Sequence, residues 1–311
     1  MTKLSSLEGL PKIAVCLAAF NGIRWLTEQL DSILAQTGVA VTVFVSVDAS
    51  IDGTEDWVDA RAQADNRVVV LPHGHHFGGS APNFFRILCD IDLSKIDYVS
   101  FADQDDIWQQ DKLIRHVKLM QQHNVDGVSS NVIAFWPNGK TKLINKSQPQ
   151  RKLDFLFESS GPGCTFLMTP WLVNEVKKLL VDPSNVANQV DSHDWLIYAV
   201  CRASGRKWLI DPTSSVQYRQ HDKNTLGANI GLEAKIERLK SISNSWYLCE
   251  VLKILEISCS LSSNLQLQGL KNNMVKLGLK ARFNILRIVP QARRKFYDRI
   301  FLALMIVLGL F

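Results

Sequence analysis

A chain of 311 residues, 46% hydrophobic and 21% charged, can build one large domain plus an appendage, and this composition excludes a disordered protein. The net charge of +5 is modest but concentrated: nine Lys or Arg lie between Lys271 and Arg299 against one acid, Asp298. Six cysteines without a CxxC spacing read as reduced, mostly buried thiols, and the start MTKLSSLEGLPK lacks the apolar core of a secretory signal, so the expected compartment is cytoplasmic.

Lys12 to Phe20 (KIAVCLAAF) is a near-continuous apolar run, the pattern of a strand covered on both faces. Asn21-Gly22 interrupts it, and Leu26, Leu30, Ile33 and Leu34 then recur at helical spacing. Val41 to Val47 is a second strand ending at Asp48, with a helix expected from Glu55 behind Thr54 as N-cap. Arg67 to Leu71 is a third strand, His73 to Gly79 a loop, and Asn83, Phe84, Ile87 and Leu88 mark another helix. Tyr98 to Ala102 is the fourth strand, followed by a helix from about Trp108 to His123 and a strand from Asp126 to Ala134. Gly163 to Met168 reads as a further strand, with helices near Trp171–Leu180 and His193–Ala203. Beyond about Leu226 the strands stop and the chain becomes helical and basic, which divides it into 1–226 and 227–311. Strands alternating with helical segments imply βαβ units: an α/β fold whose mainly parallel sheet is flanked by helices.

The most informative segment is YVSFADQDDIW, Tyr98 to Trp108, an apolar strand that stops in acid. Ligands of open α/β sheets bind at the carboxyl ends of strands. Asp103 and Asp105, two apart, fall on one side of an extended backbone and offer hard oxygen donors to Mg²⁺ or Mn²⁺, shared with a substrate diphosphate. The competing reading is a solvated acidic turn in which Asp105 or Asp106 caps the next helix. Asp48, in VDASIDGT, can present a carboxylate to a nucleotide base or ribose, or with Asp52 can simply cap backbone N–H groups. In SHDWLIY, Asp194 opens a helix beside Trp195, which suits either a dipole-satisfying charge or a partly desolvated general base; His193 is a competing base. Arg219 and His221 in YRQHDKN can contact phosphate or metal, or remain solvated. His73, His75 and His76 read as a surface loop.

GxGxxG, GxxxxGK[ST] and GxSxG are absent, which argues against dinucleotide oxidoreductases, P-loop NTPases and α/β-hydrolases. Ile300 to Phe311 is twelve residues without a charged or polar side chain, too short to span the roughly 20 residues of a bilayer core. With the basic stretch before it, this segment suits a helix lying on an anionic membrane surface; the alternative is a helix packed on the domain or on another subunit.

In order and spacing over about residues 11 to 225, these segments resemble the inverting nucleotide-sugar glycosyltransferases of family 2, with the GT-A fold. AAFNG (Ala18 to Gly22) is similar to the opening turn beside the nucleotide, VDASIDGT to the family's DDxSxDGT, FADQDD to its DXD-type motif, and SHDW to the segment of its catalytic base. Val47 stands where most relatives carry the first Asp of the DD pair. DQDDIW, GGSAPNF, GPGCTF, HDW and YRQH resemble the bacterial rhamnosyltransferase-type branch. The resemblance implies Asp194 as catalytic base and Ala19, Phe20, Asn21, Asp48, Asp103, Gln104 and Arg219 as substrate-binding. It also implies Asp103, Asp105 and His221 around Mn²⁺ or Mg²⁺. The implied partners are a nucleotide-diphosphate sugar, best dTDP-rhamnose with UDP- or GDP-sugars as alternatives, and a polyprenyl-linked saccharide of O-antigen-like synthesis at the cytoplasmic face of the inner membrane. The rivals are a metal-dependent phosphohydrolase, a non-catalytic sugar-nucleotide-binding assembly protein and, least favoured, a nucleic-acid binder.

Overall fold

The computed structural model describes residues 9–221, 246–276 and 278–309, so the expected boundary near 226 lies outside the described residues. Strand β1 (Lys12–Ala19) runs parallel to β2 (Ala40–Val47) on one side and to β4 (Tyr98–Asp103) on the other, and β3 (Val68–Val70) extends the sheet beyond β2. The apolar run of β1 has its expected cause: Ile13, Ala14, Val15 and Cys16 are fully buried because both faces are covered. Ile13, Val15 and Leu17 meet Leu26, Leu30 and Ile33 of α1 (Ile23–Leu34) and Leu113, Val117 and Met120 of α4 (Lys112–His123). Ala14 and Cys16 face the cluster formed by Phe84, Ile87 and Leu88 of α3 (Ser80–Asp90) and by α6 (His193–Ala203). Between β2 and β3 runs α2 (Thr54–Ala64).

The other half of the sheet is mixed. The long β9 (Trp208–Arg219) pairs parallel with β6 (Gly127–Phe135) and antiparallel with β5 (Ile107–Trp108), while β8 (Leu167–Met168) bridges β4 and β6 antiparallel and β7 (Thr141–Ile144) lies beside β6. The order is β3-β2-β1-β4-β8-β6-β9-β5. Three sequence expectations shift here, and one strand, β9, was not expected at all. Strand β9 carries no apolar alternation, because Asp211 to Ser215 is polar and the pairing slips between Ser130 and Val132. Trp108 does not open a helix: it pairs with Val216, and α4 starts at Lys112. Gly163–Thr165 is a 3₁₀ turn, not strand, since the N–H groups of Thr165 and Phe166 bond locally to Pro162 and Gly163 carbonyls. Gly53, with φ +87°, takes the cap of α2, and the Thr54 hydroxyl instead accepts the Gly22 N–H.

Helix α5 (Pro170–Leu180) packs beside α6. The chain closes with α7 (Trp246–Leu261), α8 (Leu265–Lys276), α9 (Leu279–Leu286), α10 (Val289–Ala292) and α11 (Phe296–Leu308). Val251, Ile254, Ile285, Leu302 and Ile306 join the apolar cluster of α3 and α6, so these helices cover one face of the sheet. Between α10 and α11 two arginines turn inward. Arg294 pairs with Asp154 and Glu158 at 3.4 Å each; Arg293 donates to the Phe157 carbonyl at 2.7 Å and to Asp298 at 3.3 Å. Asp154, fully buried, also accepts from Tyr198 and Arg202.

Candidate active site

The carboxyl ends of β1, β2 and β4 lie side by side, and side chains there bind backbone across the gap. Gln104 brackets the Phe20 peptide, its Oε1 accepting the Phe20 N–H at 2.8 Å and its Nε2 donating to the Phe20 carbonyl at 3.0 Å. Gly22 leaves the room that Gln104 occupies, since a Cβ there would lie 2.1 Å from Gln104 Oε1 and would displace that side chain. Asn21 sits at φ +46°, and its Oδ1 accepts the Ile51 N–H at 2.9 Å. Ala19, at the end of β1, is buried and its carbonyl accepts the Asp48 N–H. Asp48 itself is buried: Oδ1 accepts from the Phe77 N–H at 3.0 Å and faces His76 Nδ1 at 3.1 Å, while Oδ2 accepts the Gly78 N–H at 3.1 Å. It therefore holds the His73-to-Gly79 loop against the sheet edge. His73 pairs separately with Asp59, so among the described residues the three histidines form no metal cluster.

Beyond Asp103 the strand turns, so Asp103 and Asp105 are not set by strand alternation. Asp105 carries a 2.7 Å contact from its Oδ2 to His221 Nε2, and Trp25 stacks on that imidazole at 4.1 Å between ring centroids. The ligand atoms of Asp103, Asp106 and Cys164 lie within 4.8 Å of one another. Asp106 is fully buried; Oδ1 accepts the Arg219 N–H at 3.1 Å, and Oδ2 has no N–H or O–H donor. Arg219 spans the cluster, donating to the Asp105 carbonyl at 2.8 Å, pairing with Glu28 and lying over the Phe135 ring.

Burial, with Asp105 and Asp194 close by, pushes the Asp103 carboxyl up to about 7, and burial beside Asp105 and Asp103 raises Asp106 as well. The converging ligand atoms of Asp103 and Asp106, with Asp105 and its His221 partner alongside, offer the hard oxygen and nitrogen donors that Mn²⁺ or Mg²⁺ takes, while the Cys164 thiol among them is a softer ligand. Lys112 lies buried at the same cluster: its Nζ donates to Ser100 Oγ at 3.1 Å, 3.5 Å from the Trp108 ring centroid, and burial pushes it down to about 7.

Asp194 lies in the first turn of α6, and its Oδ1 accepts from Ser192 Oγ and the Trp195 N–H, leaving Oδ2 without a hydrogen-bond partner among the described residues. Asp194 follows His193, whose Nε2 lies against Gly163 beside Cys164, so the base candidate stands near the acid cluster and its charge adds to those that raise Asp103. His193 is packed against Phe84 and Phe101, at 4.2 and 5.3 Å between centroids, with its Nε2 against Gly163 and without a hydrogen-bond partner, and burial lowers its pKa. The structure thus brings Asp103, Asp105, Asp194, Arg219 and His221 to one end of the sheet, and places Asp48 at the edge, where it bonds the His73-to-Gly79 loop. Asp106 and Lys112 belong to the same cluster but were missed as site residues by sequence reasoning, and Cys164 entered only within GPGCTF. Asp106 was legible as the third acid of DQDD; a lysine opening a helix carries no local signal.

Comparison with known proteins identifies the family and the fold. The family model for glycosyl transferase family 2 matches residues 14–169. A dTDP-rhamnosyl transferase, RfbG of Shigella flexneri, is 36% identical over 95% of this chain and 100% of its own length. An uncharacterized glycosyltransferase of Nostoc sp. is 25% identical over 67% of this chain and 51% of its own. Among solved structures, Staphylococcus aureus TarS 1–349 with UDP-GlcNAc superposes with a TM-score of 0.54 at 14% identity, covering 90% of this chain and 84% of that one. A Pyrobaculum calidifontis mannosyltransferase in complex with GDP-Man and Mn²⁺ gives 0.50 at 16% identity, over 89% and 83%. The fold is of the GT-A type, and the chain belongs to glycosyltransferase family 2.

Proposed function

We propose that this glycosyltransferase moves L-rhamnose from dTDP-rhamnose to a hydroxyl of a polyprenyl-linked saccharide, with inversion, in O-antigen-like polysaccharide assembly. The donor assignment draws on the 36% identity to a dTDP-rhamnosyl transferase over nearly the whole chain. The observation that carries the chemistry is that Asp194 stands near enough to the acid cluster at the end of β4 for its charge to raise the Asp103 carboxyl, while its Oδ2 has no hydrogen-bond partner among the described residues. Asp194 takes the acceptor hydroxyl proton as that oxygen attacks the anomeric carbon; the bond from that carbon to the diphosphate breaks, and the nucleoside diphosphate leaves with the electron pair. Asp103, Asp105 and His221 would hold Mn²⁺ or Mg²⁺, which when bound offsets negative charge on the departing diphosphate. Arg219, fixed over Phe135, adds a positive charge on the same side.

Membrane attachment rests on α11. Leu302, Met305 and Ile306 pack inward, while Tyr297, Ile300, Phe301, Leu304, Val307 and Leu308 remain exposed along the helix. No helix among the described residues is long and apolar enough to cross a membrane. An exposed apolar stripe with Lys280, Arg287 and Lys295 at the surface suits the headgroup region of an anionic cytoplasmic leaflet. Serine at both Ile300 and Leu304 should weaken co-flotation with anionic vesicles by about tenfold or more; equal flotation would remove the stripe from the account.

The decisive assay combines the purified protein, Mn²⁺ and membrane lipid extract from a polysaccharide-making bacterium with labelled dTDP-rhamnose, UDP-sugars or GDP-sugars. Label passing from dTDP-rhamnose into lipid, and lost in Asp105→Ala, is the expected result. Transfer from a UDP- or GDP-sugar alone would overturn the donor.

A further inference from the structure

Cys164 is the one side chain of the acid cluster with a ligand atom that the transfer mechanism leaves unused besides Asp106. Its place follows from the strand register. Strand β8 pairs antiparallel with β4, Val99 opposite Met168 and Ser100 opposite Leu167. Carried three residues on, that register sets Cys164 opposite Asp103. The 3₁₀ turn Gly163–Thr165 fixes the backbone there: the Thr165 and Phe166 N–H groups bond to the Pro162 and Gly163 carbonyls, and Ser100 Oγ donates to the Phe166 carbonyl at 2.6 Å. From the acidic turn after β4 comes Asp106, fully buried like Cys164.

One donor atom each from Asp103, Asp106 and Cys164 lies within 4.8 Å of the other two. The Arg219 N–H occupies Asp106 Oδ1 at 3.1 Å, whereas Oδ2 is buried without a hydrogen-bond partner among the described residues. Burying such an oxygen costs desolvation that no hydrogen bond offsets, and a bound cation offsets it. The donor atoms select the cation. Mg²⁺ and Mn²⁺ favour oxygen donors, whereas a thiolate among carboxylates favours Zn²⁺ and its heavier congener Cd²⁺. Zn²⁺ binds thiolate sulfur at about 2.3 Å and carboxylate oxygen at about 2.1 Å. Donors no more than 4.8 Å apart therefore need only a small side-chain adjustment to meet around it. On binding, Cys164 gives its thiol proton to solvent and ligates as thiolate. Three anionic ligands then exceed the divalent charge by one. The buried Lys112 ammonium, bonded to Ser100 Oγ at 3.1 Å, supplies the balancing charge.

We propose that Asp103, Asp106 and Cys164 form a seat for a thiophilic divalent cation, Zn²⁺ foremost, that competes with Mn²⁺ or Mg²⁺ for Asp103. This ligand set leaves out Asp105 and His221, which contact each other at 2.7 Å. Asp103 belongs to both sets, so the two ions exclude one another. The competition rests on the Mn²⁺ or Mg²⁺ site of the proposed function; the seat itself does not.

Two arms test it with the full-length protein. In the first, metal-free protein is titrated with Cd²⁺, and the ultraviolet thiolate-to-metal charge-transfer band is followed. The exposed Cys249 is replaced by serine throughout to remove its background. A saturating band is expected, absent in Cys164→Ser and Cys164→Ala, and needing about tenfold more Cd²⁺ in Asp106→Asn. No band in the parent protein, or a band that survives loss of Cys164, overturns the seat. Should neither Cys164 variant fold, unchanged Cd²⁺ affinity in Asp106→Asn overturns it. Asp105→Ala should keep the band; losing it there would place the ion on the Asp105 set and overturn a separate seat. In the second arm, Zn²⁺ is added during Mn²⁺-dependent sugar transfer. Inhibition relieved by excess Mn²⁺, and needing about tenfold more Zn²⁺ in Cys164→Ser, supports the competition. Inhibition equal in both proteins, or none, overturns it. If the wild type transfers no sugar, the functional reading has failed, and the Cd²⁺ titration still decides the seat.

Discussion

The sheet edge at β1, β2 and β4 and the C-terminal helices use polar side chains in opposite ways. At the edge, Gln104, Asn21, Asp48 and Ser50 hydrogen-bond to backbone, so loops are held in shape while carboxylates crowd together at the end of β4. Among the helices, charges are spent on each other: Arg293 and Arg294 are consumed by Asp154, Glu158, Asp298 and the Phe157 carbonyl. Crowded like charge stores the capacity to bind a cation and a substrate; paired charge stores only position. Positive charge in the segment Lys271 to Arg299 is therefore not one surface patch, since two of its arginines are internal.

A crossed pair of substitutions tests this division. Asp194→Asn should lower turnover by about 10²- to 10⁴-fold, with little change in melting temperature, because Asp194 Oδ1 serves only its own turn. Arg294→Ala should do the reverse. It leaves Asp154 and Glu158 short of a partner in a buried setting and should cost about 3–5 kcal/mol of stability, read by denaturant unfolding, with the activity of the folded fraction retained. Turnover within a few-fold of wild type for Asp194→Asn would remove it as the base. An Arg294→Ala protein of normal stability would show that the clamp holds nothing.

The same contrast governs what was legible in the sequence. Strands β1, β2 and β4 announced themselves because burial on both faces forces apolar runs, and their polar ends marked the site edge. Strand β9 was invisible: its partner β6 supplies the hydrogen bonds, a bulge breaks its alternation, and Asp211 is bound to Arg115. Asp103, Asp105, Asp194 and His221 were legible as residue types, but their convergence was not, because Asp105 and His221 stand 116 residues apart. The choice between Asp194 and His193 was likewise beyond local pattern, since it depends on Phe84 and Phe101 enclosing the imidazole.

Asp48 is where the two uses of polar side chains meet, and it sharpens the comparison with the smallest effect. A carboxylate accepting from the Phe77 and Gly78 N–H groups and contacting His76 is a loop holder by geometry, yet it stands at the edge where a nucleotide base would be read. Asp48→Ala leaves two N–H groups without their acceptor and should cost about 1–3 kcal/mol. If Asp48 acts by holding the loop, KM rises by a similar factor for dTDP- and UDP-linked forms of the same sugar, because the loop is displaced for both. If it reads the base, the factor differs between them, and the ratio of the two KM values changes. A constant ratio with lowered stability would place Asp48 with the arginine clamp, as a group that positions. A shifted ratio would return it to the substrate-binding set despite its full complement of protein partners.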